Sequence, residues 1–343
     1  MYSRKALASS PVVRIAPSCG QIDLGPRDAT DPVEWEITHV KAKVLDAIKQ
    51  SAAIPSVPQV VTRFLEIMQN PEFNYDDLVR ILAADAGTVG EILRLVNSAL
   101  FGVRNKIVSL RQALTLLGPM RTRSILLGRY LVDSISTKQV QGLDMKYFWR
   151  RSLTSSVVAS RLAEKMSGER REVAFIAALL ADVGIAILAE ALPDRYRQIA
   201  ERYVPGGEPF DAEDELEAVE LTHGEVSAMV LSHWSLPETV TKSVNLHQSA
   251  NPGSDETAAI ARILNASDTI AQVLCEMPCP ENASEVCINA VTFAGVDVDV
   301  LVQQLPNIEN DIEELAAVLR IDVIPSKIYA QIALAIQDSL ASA

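Results

Sequence analysis

IPSVPQVVTRFLEIMQNPEFNYDDLVRILAADAGTVGEILRLVNSALFG, residues 54–102, reads as helix throughout. Ser56 with Gln59 forms the pattern of a capping box at the start of VPQVVTRFLEIMQ. There the cap oxygen bonds a free helical amide and the Gln returns a bond. After Asp85, Val89, Ile92, Leu93, Val96 and Leu100 recur at helical spacing, and Gly102 ends the segment. Two short helices around a tight turn could enter a DNA groove. However, Asp76, Asp77, Asp85 and Glu91 outnumber Arg80 and Arg94 here, and groove insertion requires phosphate neutralisation. A hairpin within a helical bundle is the better reading.

The same signals continue on both sides. Ser109 with Gln112 opens LRQALTLLG, which Gly118 can close. Asp144 can cap a long segment, 145–166. Ser235 with Glu238 and Asn282 with Glu285 repeat the capping pattern. No run alternates as a strand should. The chain breaks near SANPGSDE, residues 249–256, and helical segments resume at 256–276, 284–293, 308–320 and 326–340. The expected fold is all-α: a helical amino-terminal layer on a helical bundle, then a carboxy-terminal extension. The expected divisions are a poorly ordered tail over 1–34, a domain over 35–252 and the extension over 253–343.

Composition narrows the class. Hydrophobic residues make up 48% of the 343, enough for a large core, which excludes wholesale disorder. The 4 Cys offer no disulfide framework, so a reducing, cytoplasmic compartment is expected. No signal peptide and no uncharged spanning run are expected either, hence no membrane partner. A net charge of −13 sets the whole chain against nucleic acid.

That charge is uneven. Residues 94–171 hold 15 Lys and Arg against 4 Asp and Glu, whereas residues 201–220 hold 8 acids and one Arg. Solvated faces and internal pairing account for such runs in most proteins. The sharper possibility is an open basic face of Arg121, Arg123, Arg129, Arg170 and Arg171 that steers an acidic partner. The alternative user of residues 94–171 is nucleic acid.

No phosphate-binding glycine loop, nucleophile elbow or HExxH is present. Cys275, Cys279 and Cys287 lack a fourth ligand for zinc and read as structural. Histidines are few, but their settings are specific. FIAALLADVGIAIL places Asp182 after an apolar helix, LTHGEVSAMVLSHW places His223 at a helix start, NLHQ places His247 at a helix end, and NASDTIAQ places Asp268 inside a later helix.

Taken with the opening stretch, KIVSLRQALTLLG and YFWRRSLTSSVVASRLAEKM, these segments resemble the HD superfamily of metal-dependent phosphohydrolases. More specifically they resemble its degenerate branch, the HD-related output domain (HDOD), over about residues 50–270. An active HD site uses several His and Asp to hold one or two divalent cations, which generate hydroxide from water. The resemblance carries Asp182, His223, His247 and Asp268 across. It puts Arg151 and Ala181 where imidazoles are expected. A guanidinium repels a divalent ion and pairs readily with a carboxylate. The resemblance therefore implies no bound metal or cofactor, no catalytic residues, and a remnant pocket of Arg151, Asp182, His223, His247 and Asp268. Its function would be signalling through a protein partner or a small anionic ligand. A phosphohydrolase with a remodelled metal site remains the alternative.

Overall fold

In a computed structural model of the chain, the described residues run from 43 to 341, apart from short internal segments at 51–52, 69, 71, 99–100, 102, 137–138, 164–167, 209–210, 277–279, 320 and 322–327. The expected tail, His39 and Cys279 lie outside the described residues. Among these residues every regular element is a helix. The amino-terminal layer comprises α1 (43–50), α2 (Gln59–Met68), α3 (Tyr75–Leu82), α4 (Ala86–Val96) and α5 (Leu110–Ser136).

The cap residues explain most of the starts. Asn74 accepts the Asp76 amide to open α3. Asp85 accepts the amides of Gly87 and Thr88 to open α4. Gly118 stops the first half of α5 as expected: its φ of 73° and ψ of 169° break the helix, and Pro119 starts the second half. Asn97 closes the loop after α4, accepting the Ile107 amide at 2.7 Å and donating to the Leu93 and Ile107 carbonyls.

The bundle follows: α6 (Met145–Leu162), α7 (Gly168–Leu180), α8 (Val183–Ala191), α9 (Pro193–Ala200), α10 (Ala212–Val219), α11 (His223–His233), α12 (Glu238–Leu246) and α13 (Glu256–Cys275). Asp144 caps α6 through the amides of Lys146 and Tyr147, as its position predicted. Helix α6 is the axis, buried from Arg151 to Leu162 and packed on α7, α13 and α15 (Val298–Leu319). Its serine hydroxyls tolerate burial through local partners. Ser152 and Ser156 bond carbonyls in their own turn, and Ser155 meets Ser267 of α13 at 3.1 Å.

Three expected capping boxes differ: α2 starts at Gln59 itself, and the carbonyl of Pro58, not Ser56, takes its first amides. Ser235 takes a left-handed φ of 60°, so Pro237 and not Ser235 precedes α12. Asn282 precedes α14 (Ala283–Phe293) without a side-chain cap bond. The intact box is Thr222 with Glu225, at the start of α11.

The carboxy-terminal helices α14, α15 and α16 (Ile328–Ala341) complete the core. Arg161 of α6 donates to Asp311 of α15 at 2.6 Å, with both side chains about nine-tenths buried. Trp234 anchors the opposite side, donating to the Pro55 carbonyl at 3.0 Å. The expectation of no uncharged spanning run stands, because Asp182 interrupts the most apolar stretch. Residues Arg170–Ala191 are long and apolar enough, but they form two helices broken at 181–182, and 89% of the most apolar window lies in the core. All described residues belong to one unit, Val40–Ala343.

Candidate functional site

Four of the carried-over residues lie on different bundle elements. Asp182 precedes α8, His223 opens α11, His247 ends α12 and Asp268 lies in α13. Gly184 allows the first approach. A Cβ there would stand 2.1 Å from the His223 carbonyl oxygen, and its amide donates to Ser227 at 2.8 Å. Gly224 does the same for His247, whose ring would stand 3.3 Å from an added Cβ.

Asp182 is buried and makes no cap bond with its own helix. Its Oδ2 accepts the Tyr203 hydroxyl at 2.6 Å, and its Oδ1 faces His223 Nε2 at 3.5 Å and His247 Nε2 at 3.6 Å. Burial alone would favour the neutral acid. The two imidazoles outweigh it and hold the carboxyl well below its usual range.

Each imidazole is oriented from behind. His223 Nδ1 meets Glu215 at 2.9 Å, and its amide donates to the same carboxylate. Glu215 also accepts the Tyr196 hydroxyl. Burial opposes charge on His223, but Glu215 and Asp182 on either side overcome it and push its pKa up to about 10. His247 Nδ1 donates to the Val244 carbonyl at 2.6 Å, which fixes the ring with Nε2 toward Asp182.

Arg151 is separate from this cluster. Its Nε and Nη2 donate to the two oxygens of Asp268 at 2.9 and 2.7 Å. The guanidinium lies 4.5 Å from the centre of the Tyr203 ring. Burial disfavours its charge, yet Asp268 raises its pKa well above the usual value. Tyr203 thus links the two halves, stacking under Arg151 and bonding Asp182.

Active HD sites hold metal, and the donor geometry tests whether the residues kept here could do so. Asp182 Oδ1, His223 Nε2 and His247 Nε2 lie within 4.8 Å of one another. Metal bonds of about 2.1 Å at tetrahedral angles set donors about 3.4 Å apart, close to the distances seen. One ion therefore fits these three residues. A second does not, because Arg151 and Ala181 offer no lone pair and Asp268 is engaged by Arg151.

The five arginines expected on a basic face all have partners within the chain. Arg121 pairs with Glu172 at 2.6 Å and Arg170 with Glu256 at 2.6 Å. Arg129 pairs with Glu91 and with Asp133. Arg123 donates to the Ser235 carbonyl and Arg171 to Ser160. Their carboxylate partners are Glu91, Asp133, Glu172 and Glu256, none of them in the acidic stretch 201–220. Sequence reading missed Tyr203, Tyr196 and Glu215. Glu215 lies in the acidic run 201–220 and looks solvated there, yet it is fully buried. Cys275 and Cys287 are buried and free, consistent with packing roles.

Comparison with known proteins adds three findings. A family model described as HDOD domain matches residues 54–250. An uncharacterized protein of Treponema pallidum is 24% identical over 226 residues, and this chain spans 42% of that curated relative's length while 65% of this chain is covered. Two crystal structures share the fold. An HDOD domain protein of unknown function from Geobacter sulfurreducens has a TM-score of 0.60 and 20% identity, covering 85% of this chain and 100% of that one. A Shewanella amazonensis protein, provisionally named a phosphohydrolase, has a TM-score of 0.61 and 21% identity, covering 81% and 98%.

Proposed function

The chain belongs to the HDOD domain family, and on that premise we propose that it is a non-catalytic module of bacterial signal transduction, acting in the cytoplasm by binding a protein partner. The observation that carries this reading is the pairing of Arg151 with Asp268. Hydrolysis of a phosphodiester by an HD site depends on metal-activated water. Here a fixed guanidinium takes up the last carboxylate, and Ala181 supplies no imidazole. Binding is the role left to a scaffold that keeps its core and loses its reaction. Nucleic acid is not the partner under this reading, since the chain carries −13 overall and its clustered arginines are bonded internally.

A second reading is favoured by the convergence of three donors. Asp182, His223 and His247 would hold a single ion, which when bound would supply Lewis acidity and a more acidic water. In that case Arg151 would steer a phosphate and Glu215 would fix the His223 ring.

Elemental analysis of chelator-free protein separates the two. The module reading expects substoichiometric metal and no turnover of cyclic or linear phosphodiesters. One equivalent of transition metal, with turnover lost in Asp182→Ala, would replace it with the hydrolase reading. A protein captured from a bacterial lysate in a DNase-resistant complex would support the module.

A further inference from the structure

A cavity of about 190 Å³ lies between α4 and α5 of the amino-terminal layer and α7 and α12 of the bundle. No residue of the Asp182–His223–His247 cluster lines it. Its depth is apolar: Leu95, Ile125, Phe175, Ile176 and Val240 form the walls, and all five are buried. A smaller void of about 20 Å³ shares four of those walls, Leu95, Ile125, Phe175 and Ile176. The apolar space is thus drawn out between α4, α5 and α7.

Charge is confined to the other end. There Arg121 and Glu172 form an ion pair through Arg121 Nε at 2.6 Å, with the arginine side chain 34% exposed, and Thr239 is exposed beside them. Among the described residues Arg121 has no further hydrogen bond or ion pair. Its two terminal nitrogens keep their donors, in the planar fork that receives a carboxylate through two bonds.

The walls select the rest of the occupant. Water gains nothing from an apolar cavity, whereas an apolar group fills it favourably. A dry cavity of about 150 Å³ takes benzene, so by proportion the 190 Å³ here takes about eight carbons. A molecule that suits both ends carries an aliphatic chain and an anionic head.

We propose that this cavity binds a medium-chain aliphatic carboxylate, with its chain between α5 and α7 and its head on the terminal nitrogens of Arg121. Such a ligand touches the amino-terminal layer and the bundle together, which gives a signalling module a small-molecule input. The site stands whether or not the Asp182 cluster is catalytic, because the two share no residue.

Calorimetric titration of the full chain with octanoate tests it, with hexanoate, dodecanoate and octylammonium titrated separately. Saturable 1:1 binding of octanoate is expected. Hexanoate should bind about fifteenfold more weakly, at about fourfold per buried methylene. Dodecanoate should gain little over octanoate, because its last carbons find no room. Arg121→Gln should weaken octanoate about tenfold, the loss of a charge-assisted pair. Arg80→Gln, 77% exposed and outside the cavity, should leave binding unchanged. Absence of saturable octanoate binding overturns the proposal, as does octylammonium binding equally tightly. Affinity that climbs by the same factor per methylene up to dodecanoate also overturns it, since that is adsorption to apolar surface. Equal weakening by Arg80→Gln would do the same, by showing diffuse attraction to cations.

Discussion

Arg151 grips Asp268 through two near-parallel hydrogen bonds, 2.9 and 2.7 Å long, across the interface between α6 and α13. The geometry joins two helices that are more than a hundred residues apart in sequence. It also places a permanent cation where the resemblance expects a neutral ligand.

Arg151→Ala should therefore destabilise the fold. Removing one member of a buried pair costs about 3–5 kcal/mol. The lower end is expected, since the Asp268 side chain keeps 24% of its exposure. Urea unfolding of Arg151→Ala, Asp268→Ala and the double variant measures this. A double variant no worse than Arg151→Ala alone would locate the coupling in this pair.

Gly184→Ala should be worse than its size suggests. The added Cβ would lie 2.1 Å from a backbone oxygen, which cannot move aside as a side chain can. A loss of about 3 kcal/mol is expected, the upper range for overpacking. Gly128→Ala is the control: its Cβ would meet Leu180 at an ordinary 3.6 Å and should cost little. Thermal melts of the two variants separate close approach from helix composition.

Asn97→Ala removes three hydrogen bonds that fasten the loop before α5. Two of the lost bonds leave part-buried Ile107 groups unpaired, so about 2–3 kcal/mol should be lost. Proteolysis should then begin near residues 103–108 before the rest of the chain is cut.

Asp85 predicts the response to acid. Its hydrogen bonds to Thr88, working against the cost of burial, lower its folded pKa below the usual 3.8. The unfolded chain thus binds a proton more readily. The contribution of Asp85 is fully present above pH 3.8 and fades as pH falls through the folded value. Stability curves of wild type and Asp85→Asn should be separated at neutral pH and converge in that acidic window. Curves that stay parallel would show that the carboxylate charge is irrelevant to the cap.

The helical class was legible because its signals are local. Caps such as Asp144 and breaks such as Gly118 act within one turn, and apolar spacing reports which face is buried. The site was legible only as positions. Asp182, His223 and His247 could be aligned by resemblance, but Tyr203 and Glu215 are recruited through packing of the 201–220 region against the bundle. Nothing local distinguishes buried Glu215 from its solvated acidic neighbours. The arginines' partners were hidden for a related reason. A charge tally along the chain cannot reveal that Arg170 meets Glu256 or that Arg121 meets Glu172, because those pairings exist only after folding.

The two buried guanidiniums of α6, Arg151 and Arg161, also define how much chain is needed. The family match ends at residue 250, but Asp268 and Asp311 lie beyond it. A fragment trimmed to the match would take Asp268 from Arg151 and Asp311 from Arg161 and uncover the faces of α6 that α13 and α15 bury. Excising the matched segment alone is therefore expected to yield an aggregating fragment, and one extending through α15 to stay soluble.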